Sequence, residues 1–179
     1  MDKCWEITQF VLIKIQNNNL AQDPQDGTRC KAMEGHPSLL FAHKTDIRKL
    51  SLDRPSMTPI VNNTRSSCAV DYDFKTGMVF WSDVMEEKIY KYGGHICINM
   101  MLTFYRAPID SGFGRTVVVS SGVVTADGLA VDWVYSHLYW TDTGTDCISV
   151  TDLSGLSRAV LVKDQLEEPR AITLHPGKG

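Results

Sequence analysis

The sequence predicts an all-β protein that is built from stacked β-units. Residues 69–83 and residues 128–142 carry the same pattern: an apolar strand, a short turn, and a second strand that ends aromatic-Trp-Ser/Thr-Asp. Short apolar strands separated by turns rich in Gly, Asp, Ser and Lys are typical of all-β proteins, and no helical period follows residue 35. Because one such unit cannot bury its own apolar face, we expect neighbouring copies to stack.

Further elements can be followed on either side of these copies. Residues 1–19 are expected to form a short helix or to be an artefact. Residues 39–42 form a continuous apolar run, and residues 46–52 alternate with the period of two that strands show. A shared Gly-x-x-Arg-x-Val segment follows each aromatic motif, and a third copy opens at Leu166 and continues through residues 169–174. The sequence therefore holds two near-complete repeats and the start of a third.

The spacing of the two copies indicates an insertion between them. Trp81 and Trp140 lie 59 positions apart, whereas stacked β-repeats of this kind run about 40–50 residues. Removing residues 91–105 reduces the spacing to 44 and aligns both halves of the repeat. We interpret residues 91–105 as an insert from a retained intron or a gene-model error. A genuine loop insertion is the alternative.

The composition excludes several functions. The 179 residues carry a net charge of −3 and are 22% charged, which suits one globular domain or a domain with a fragment. No basic stripe or aromatic-arginine platform is present, so nucleic-acid binding is rejected. The five cysteines contain no Cys-x-x-Cys and the five histidines are scattered. No metal and no cofactor is therefore expected, and Cys68 and Cys147 are predicted to be buried thiols.

Two four-residue motifs, Phe-Trp-Ser-Asp at 80–83 and Tyr-Trp-Thr-Asp at 139–142, resemble the YWTD repeats of the low-density lipoprotein receptor family. The strings at 128–134 and 169–176 support this resemblance. It implies that residues 35–179 form a partial six-bladed YWTD β-propeller with about half of the blades. Residues 1–34 are interpreted as an N-terminal segment that ends in the remnant tail of an EGF-like module.

The chain departs from this family in several respects. The EGF-like tail lacks most of the family's six cysteines, and the remaining blades and the membrane anchor are absent. Residues 1–20 carry no usable signal peptide, because Lys14 interrupts the apolar run. No apolar stretch predicts a transmembrane helix. We expect the chain to be a fragment of a longer receptor on the extracellular side of the plasma membrane.

The resemblance implies a non-enzymatic module of a cell-surface receptor that recognises other proteins. Within the family it is strongest for the agrin and Wnt co-receptor branch, whose propellers bind an Asn-x-Ile or Asn-x-Val motif of secreted ligands. Expected partners are Wnt-pathway antagonists or agrin-like proteins. The alternatives are a lipoprotein or endocytic receptor propeller, and a nonfunctional truncated product. Catalysis is not expected, because no set of Glu, Asp, Asn or His is placed to hold a cation at an axis.

The resemblance also implies which residues contact the ligand. Residues that match the family's recognition positions are Lys44, Val84, Met85, Glu87 and Arg170. Lys44 and Arg170 are expected to donate to carbonyl or carboxylate groups of the partner. Val84 and Met85 are expected to form an apolar rim, and Glu87 to pair with a basic ligand residue. A solvated loop residue is the alternative for each.

The motif residues themselves are expected to be structural. Trp81 and Trp140 are predicted to pack between blades. Asp83 and Asp142 are predicted to accept backbone N–H bonds from the adjacent blade.

Two predictions concern turns. Asn62 begins an Asn-Asn-Thr sequon in a predicted loop, which becomes a glycosylation site if the chain enters the secretory pathway. Gly112, Gly128 and Gly155 are predicted to be turn glycines that need a positive φ.

Overall fold

Every regular element that the structure describes is a β-strand. The structure is a computed structural model that describes residues 10–13, 38–53, 56–93 and 114–175. The predicted all-β class is therefore confirmed. The strands are β1 (Phe10–Ile13), β2 (Ser38–Ser51), β3 (Ser56–Asp73), β4 (Met78–Asp83), β5 (Lys88–Gly93), β6 (Arg115–Val119), β7 (Ala126–Asp132), β8 (His137–Asp142), β9 (Cys147–Asp152) and β10 (Arg158–Val162).

The strands form two antiparallel sheets in which neighbours along the chain are neighbours in space. One sheet has six strands in the order β1-β2-β3-β4-β5-β6, and the other has four in the order β10-β9-β8-β7. The two copies of the motif have the same register. Val70 lies opposite Trp81 in the first sheet, and Leu129 lies opposite Trp140 in the second. The sequence repeat is therefore a structural repeat as well.

β3 joins two units of the first sheet. Its first part pairs with β2, with Asn62 opposite Asp46 and Ser67 opposite Lys44, and its last part pairs with β4. The register with β2 shifts between Lys44 and Asp46, so residues 63–66 bulge at the junction. Asn63 there has a φ of 60°. The bulge redirects the strand from one unit into the next.

The N-terminal expectation of a helix is wrong for the residues of β1. Phe10 pairs with Phe41, and Ile13 pairs with Ser38, as an added edge strand on β2. A short apolar run does not by itself distinguish a helix from a strand. The neighbouring strand decides the outcome, because it supplies partners for the backbone groups.

β5 continues through residues 91–93, which begin the segment that was interpreted as an insert. Lys91 pairs with Phe80 on one side and with Thr116 on the other. Its Nζ also donates to the carbonyl oxygen of Leu153 in the second sheet, at 2.9 Å. The rest of the 91–105 segment and the predicted EGF-like tail lie outside the described residues. Both interpretations stay predictions.

Apolar side chains from both sheets form one core cluster, and the first sheet buries a second cluster on its other face. Successive residues of a strand point to opposite faces. Accordingly, Phe80 belongs to the cluster shared with Leu138 and Trp140, whereas Trp81 packs in the second cluster with Leu40. Trp81 and Trp140 are fully buried. Both lie in the core, and their burial explains why a large aromatic recurs in each copy.

Candidate ligand-binding face

The carboxylate of Asp83, at the end of β4, accepts hydrogen bonds from several backbone amides of the first repeat. It is 1% exposed and accepts hydrogen bonds from the amides of Arg65 at 2.7 Å, Ser66 at 3.0 Å and Met85 at 3.1 Å. Two of these amides belong to the segment that leads into the last part of β3, and the third belongs to the β4–β5 turn. One side chain therefore fixes both the strand entry and the adjacent turn.

Asp142 repeats this arrangement in the second sheet. It accepts from the amides of Val124 at 2.8 Å, Thr125 at 2.9 Å and Gly144 at 2.9 Å. The donors of both carboxylates lie beside their own sheet, not in the adjacent blade as predicted. Backbone amides beside a strand end have no partner in the sheet ladder. A short acidic side chain at that end is close enough to accept hydrogen bonds from them.

Contact with the next repeat is instead made by the hydroxyl that precedes each aspartate. Ser82 Oγ donates to the carbonyl oxygen of Ala126 at 2.7 Å. Thr141 Oγ1 donates to the carbonyl oxygen of Arg170, at the start of the third copy. The Ser/Thr of the motif therefore links successive repeats.

Two contacts between the sheets show that the repeats point in the same direction. Ser82, at the end of β4, reaches Ala126 at the start of β7. Further along, Asp71 Oδ2 accepts the amide of Val131 at 2.6 Å. β3 and β7 thus run side by side in parallel, and the turns that lead into these two strands lie at the same end. We call this the motif end: residues 44, 63–67, 84–87, 124–127, 143–146 and 168–170.

Lys44 is an exposed residue of the motif end. It pairs with Ser67, which in turn pairs with Asp83. Its carbonyl oxygen accepts the hydroxyl of Thr64 at 2.9 Å, and its φ of 26° is unusual for a residue other than glycine. Such conformations persist where the surrounding structure enforces them, and they are common at functional sites.

The β4–β5 turn presents three of the predicted recognition residues. Met85 is 69% exposed, whereas Val84 is only 9% exposed. The amide of Val84 donates to the carbonyl oxygen of Ser66 at 3.0 Å. Of the two residues predicted to form an apolar rim, only Met85 is therefore largely exposed. Glu87 is exposed and has a φ of 53°.

Arg170 is held in place by two carboxylates while half of its side chain stays in solvent. Its Nη1 donates to Asp127 Oδ2 at 2.9 Å and its Nη2 donates to Glu168 Oε2 at 3.0 Å, with 55% of the side chain exposed. Burial raises the pKa of Asp127, and the hydroxyl of Thr143 and the charge of Arg170 act against that shift. A guanidinium has five N–H donors, so Arg170 retains others for a partner.

Two residues of the motif end were missed by the sequence reasoning. Asp127 orients Arg170, and nothing in its sequence context indicated that role. Asp146 lies 59 positions after Glu87, has a similar φ of 48°, and accepts the amide of Glu168 at 3.0 Å. Applying the repeat offset to Glu87 would have found Asp146.

The sequon lies in a strand, so the predicted loop is wrong. Asn62 and Asn63 belong to β3, and Asn62 lies opposite Asp46 of β2. The prolines and asparagines of the segment that follows β2 favour a turn, but pairing with the long strand β2 keeps that segment extended. Modification of Asn62 stays a prediction.

The glycines that were predicted to lie in turns are required for different reasons. Gly155 has a φ of 83° as expected, and Gly112 lies outside the described residues. Gly128 lies inside β7 without a positive φ, so that prediction is wrong. A Cβ there would overlap the carbonyl oxygen of Arg170 and lie 2.5 Å from Thr141 Oγ1. Gly128 is needed for the close approach of the third copy.

The cysteines and the acidic residues define no metal site in the part of the chain that the structure describes. Cys147 is a free buried thiol, as predicted. Cys68 is disulfide-bonded, so the prediction of a thiol there is wrong. Within the described ranges, no three His, Cys, Asp or Glu side chains are grouped to hold a metal ion. The same residues include no helix that is long and apolar enough to cross a membrane.

Comparison with known proteins defines the class of this fold. Residues 136–176 match the low-density lipoprotein receptor repeat class B. A chain in the crystal structure of the Nidogen/Laminin complex superposes with a TM-score of 0.64 at 24% identity, over 79% of this chain and 50% of the other. The predicted partial β-propeller is therefore confirmed as the fold.

Curated relatives extend this match over most of the chain. Low-density lipoprotein receptor-related protein 5 from Mus musculus is 42% identical over 145 residues, and receptor-related protein 8 from Homo sapiens is 31% identical over 133 residues. These alignments cover 80% and 74% of this chain, but only 8% and 13% of the relatives. The chain thus contains a class B repeat and is homologous to short regions of these receptor-related proteins.

Proposed function

We propose that the chain is a non-enzymatic, extracellular protein-recognition module of a receptor related to the low-density lipoprotein receptor. The observation that supports this most is that three segments far apart in sequence meet at the motif end, bringing Lys44, the turn with Met85 and Glu87, and Arg170 to one side. Loops that converge at one end of a β-scaffold are common binding surfaces, because the scaffold holds them in fixed relative positions. The homology to receptor-related proteins supports the same class of function.

The chemistry of the motif end suits an extended peptide segment of a secreted protein. Arg170 already contacts two carboxylates, so its remaining N–H groups are suited to carbonyl oxygens such as an asparagine carboxamide. Met85 supplies a flexible apolar surface for an Ile or Val side chain. This is the combination that an Asn-x-Ile or Asn-x-Val motif requires. Glu87 and Asp146 add negative charge for a basic residue nearby.

Within the receptor-related proteins, we propose the co-receptor branch that recognises Wnt-pathway antagonists or agrin-like ligands. The strings at 40–48, 79–84 and 174–176 most resemble the first propeller of low-density lipoprotein receptor-related protein 4. The homology to receptor-related protein 5 supports the branch. The match to receptor-related protein 8 keeps a lipoprotein or endocytic receptor as the second candidate.

The proposal is tested by binding of a synthetic Asn-Ala-Ile peptide to the full chain, measured by calorimetry. We expect saturable binding that is lost when the peptide asparagine is replaced by alanine. Arg170→Ala removes a charged donor and should weaken binding by about tenfold or more. Met85→Ala should weaken binding by a smaller factor because it removes only apolar contact.

The matched control is Tyr135→Ala, which removes a 62% exposed side chain from the β7–β8 turn at the opposite end of the sheet. This variant should bind like the wild type. Equal weakening by Tyr135→Ala and Arg170→Ala would mean that the motif end is not the binding face. Binding that does not depend on the peptide asparagine would exclude this ligand class.

A further inference from the structure

The sequon of Asn62 lies at the junction where β3 passes from one unit to the next. Asn62 itself is partly exposed and lies opposite Asp46 of β2. The third sequon residue, Thr64, is only 5% exposed. Its Oγ1 donates to the carbonyl oxygen of Lys44 at 2.9 Å. In the folded chain, the sequon hydroxyl is therefore already used as a structural donor.

The residues around this hydroxyl are tied to three other strands. The amides of Arg65 and Ser66 donate to Asp83 at the end of β4. The carbonyl oxygen of Asn63 lies 3.5 Å from Arg115 Nη1 of β6, and Asn63 has the left-handed φ of the bulge. Releasing residues 62–66 would break contacts with β2, β4 and β6 together.

N-glycosylation makes the opposite demand on the same residues. The acceptor segment must enter the transferase as a flexible chain, with the hydroxyl of the third residue free to be recognised. In the reaction, Asn62 Nδ2 forms a bond to the anomeric carbon of an oligosaccharide and loses one proton. The bond from that carbon to a lipid diphosphate breaks, and the lipid diphosphate leaves with the electron pair.

We propose that Asn62 is an N-glycosylation site that can be modified only before β3 pairs with β2, so that folding closes the site. A glycan attached early is tolerated afterwards, because the side chain of Asn62 retains access to solvent while Thr64 becomes buried. Its occurrence in cells rests on the proposed extracellular location. The order of modification and folding does not, because both can be followed with purified components.

The experiment uses the full chain made without glycosylation, a purified oligosaccharyltransferase and a lipid-diphosphate oligosaccharide. One sample is folded, and the other is diluted from urea into the same reaction. Intact mass, checked by removal of the glycan with a peptide-N-glycosidase, reports the extent of modification. Because a closed site reacts only when the chain opens locally, we expect the folded chain to be modified at a rate that is lower by about tenfold or more.

Three variants separate the parts of this inference. Asn62→Gln should be unmodified in either state. Thr64→Ser should keep the wild-type ratio between the folded and unfolded rates, because it retains both the sequon and the hydroxyl donor. Thr64→Ala should be unmodified and less stable than Asn62→Gln, since only it removes the bond to Lys44. Equal rates for the folded and unfolded chain, or no modification of either, would overturn the proposal. Neither result bears on peptide binding at the motif end.

Discussion

Removing the carboxylate of Asp142 should destabilise the chain strongly, because three backbone amides lose their acceptor. The donor amide of Thr125 belongs to a residue that is 4% exposed, whereas Val124 and Gly144 are reached by water. A buried amide left without an acceptor costs about 1–3 kcal/mol, and a solvated one costs less. We therefore expect Asp142→Ala to lower the free energy of unfolding by about 2–4 kcal/mol.

Urea denaturation followed by tryptophan fluorescence measures this loss, because Trp81 and Trp140 are fully buried in the folded chain. The midpoint should fall by about 1–2 M urea. Asp142→Asn keeps one carbonyl oxygen, so it should lose about half as much.

Asp152 is the matched control for Asp142. It also accepts several backbone amides, from Ser154 at 2.8 Å, Leu156 at 3.2 Å and Ser157 at 3.1 Å, but in an exposed turn. The hydroxyl of Ser154, the amides of Leu156 and Ser154, and the hydroxyl of Ser157 hold the pKa of Asp152 below its usual range. Water can replace this carboxylate, so Asp152→Ala should shift the midpoint much less. If both alanine variants lost the same stability, burial of the amides would not be the cause, and the reasoning would be refuted.

Three further predictions follow from contacts between the repeats. Gly128→Ala adds a methyl group that overlaps the carbonyl oxygen of Arg170, so it should lower the unfolding free energy measured in urea by about 2–3 kcal/mol. The control is Ala69→Gly, at the equivalent position of the first repeat, which should lower it by only about 1 kcal/mol. Burial raises the pKa of Asp71 to about 6 from the usual 3.8. The contribution of Asp71 to stability, about 3 kcal/mol, is therefore present below about pH 4 and is lost by about pH 6. Urea denaturation at a series of pH values should show this loss for the wild type and not for Asp71→Asn. Arg158 donates to two loop carbonyls, each at 2.6 Å, and stacks on a buried tryptophan at 4.9 Å; Arg158→Lys should lower the thermal midpoint and cost about 1 kcal/mol, and an unchanged midpoint would contradict that role.

The repeat in the sequence was enough to predict the class of fold and the buried motif. The alternating and apolar runs identified β2, and the two copies of the motif identified the hairpins that bury Trp81 and Trp140. These features are local, because a strand's period and a recurrent turn are written in consecutive residues. Asn62 was misplaced for the opposite reason. Its turn-like context is overridden by pairing with β2, which is distant in sequence.

The candidate site was predicted only in part. The resemblance named Lys44, Met85, Glu87 and Arg170, but it did not reveal that Val84 is largely buried or that Asp127 orients Arg170. The contact between Asp127 and Arg170 joins residues of successive repeats, and no pattern within one repeat contains it. Asp146 was within reach of the sequence, because it lies at the repeat offset from Glu87.

The sequence by itself determined that the chain is a β-repeat protein and which residues recur as its buried motif, because period and repetition are properties of the chain. Only the tertiary structure decided what each motif side chain contacts. Asp83 and Asp142 serve their own sheets, whereas Ser82 and Thr141 reach the next repeat, since packing sets which acceptor lies within about 3 Å of each donor. Gly128 shows the same division. Its position is visible in the sequence, but its reason lies in a backbone that approaches from the third copy.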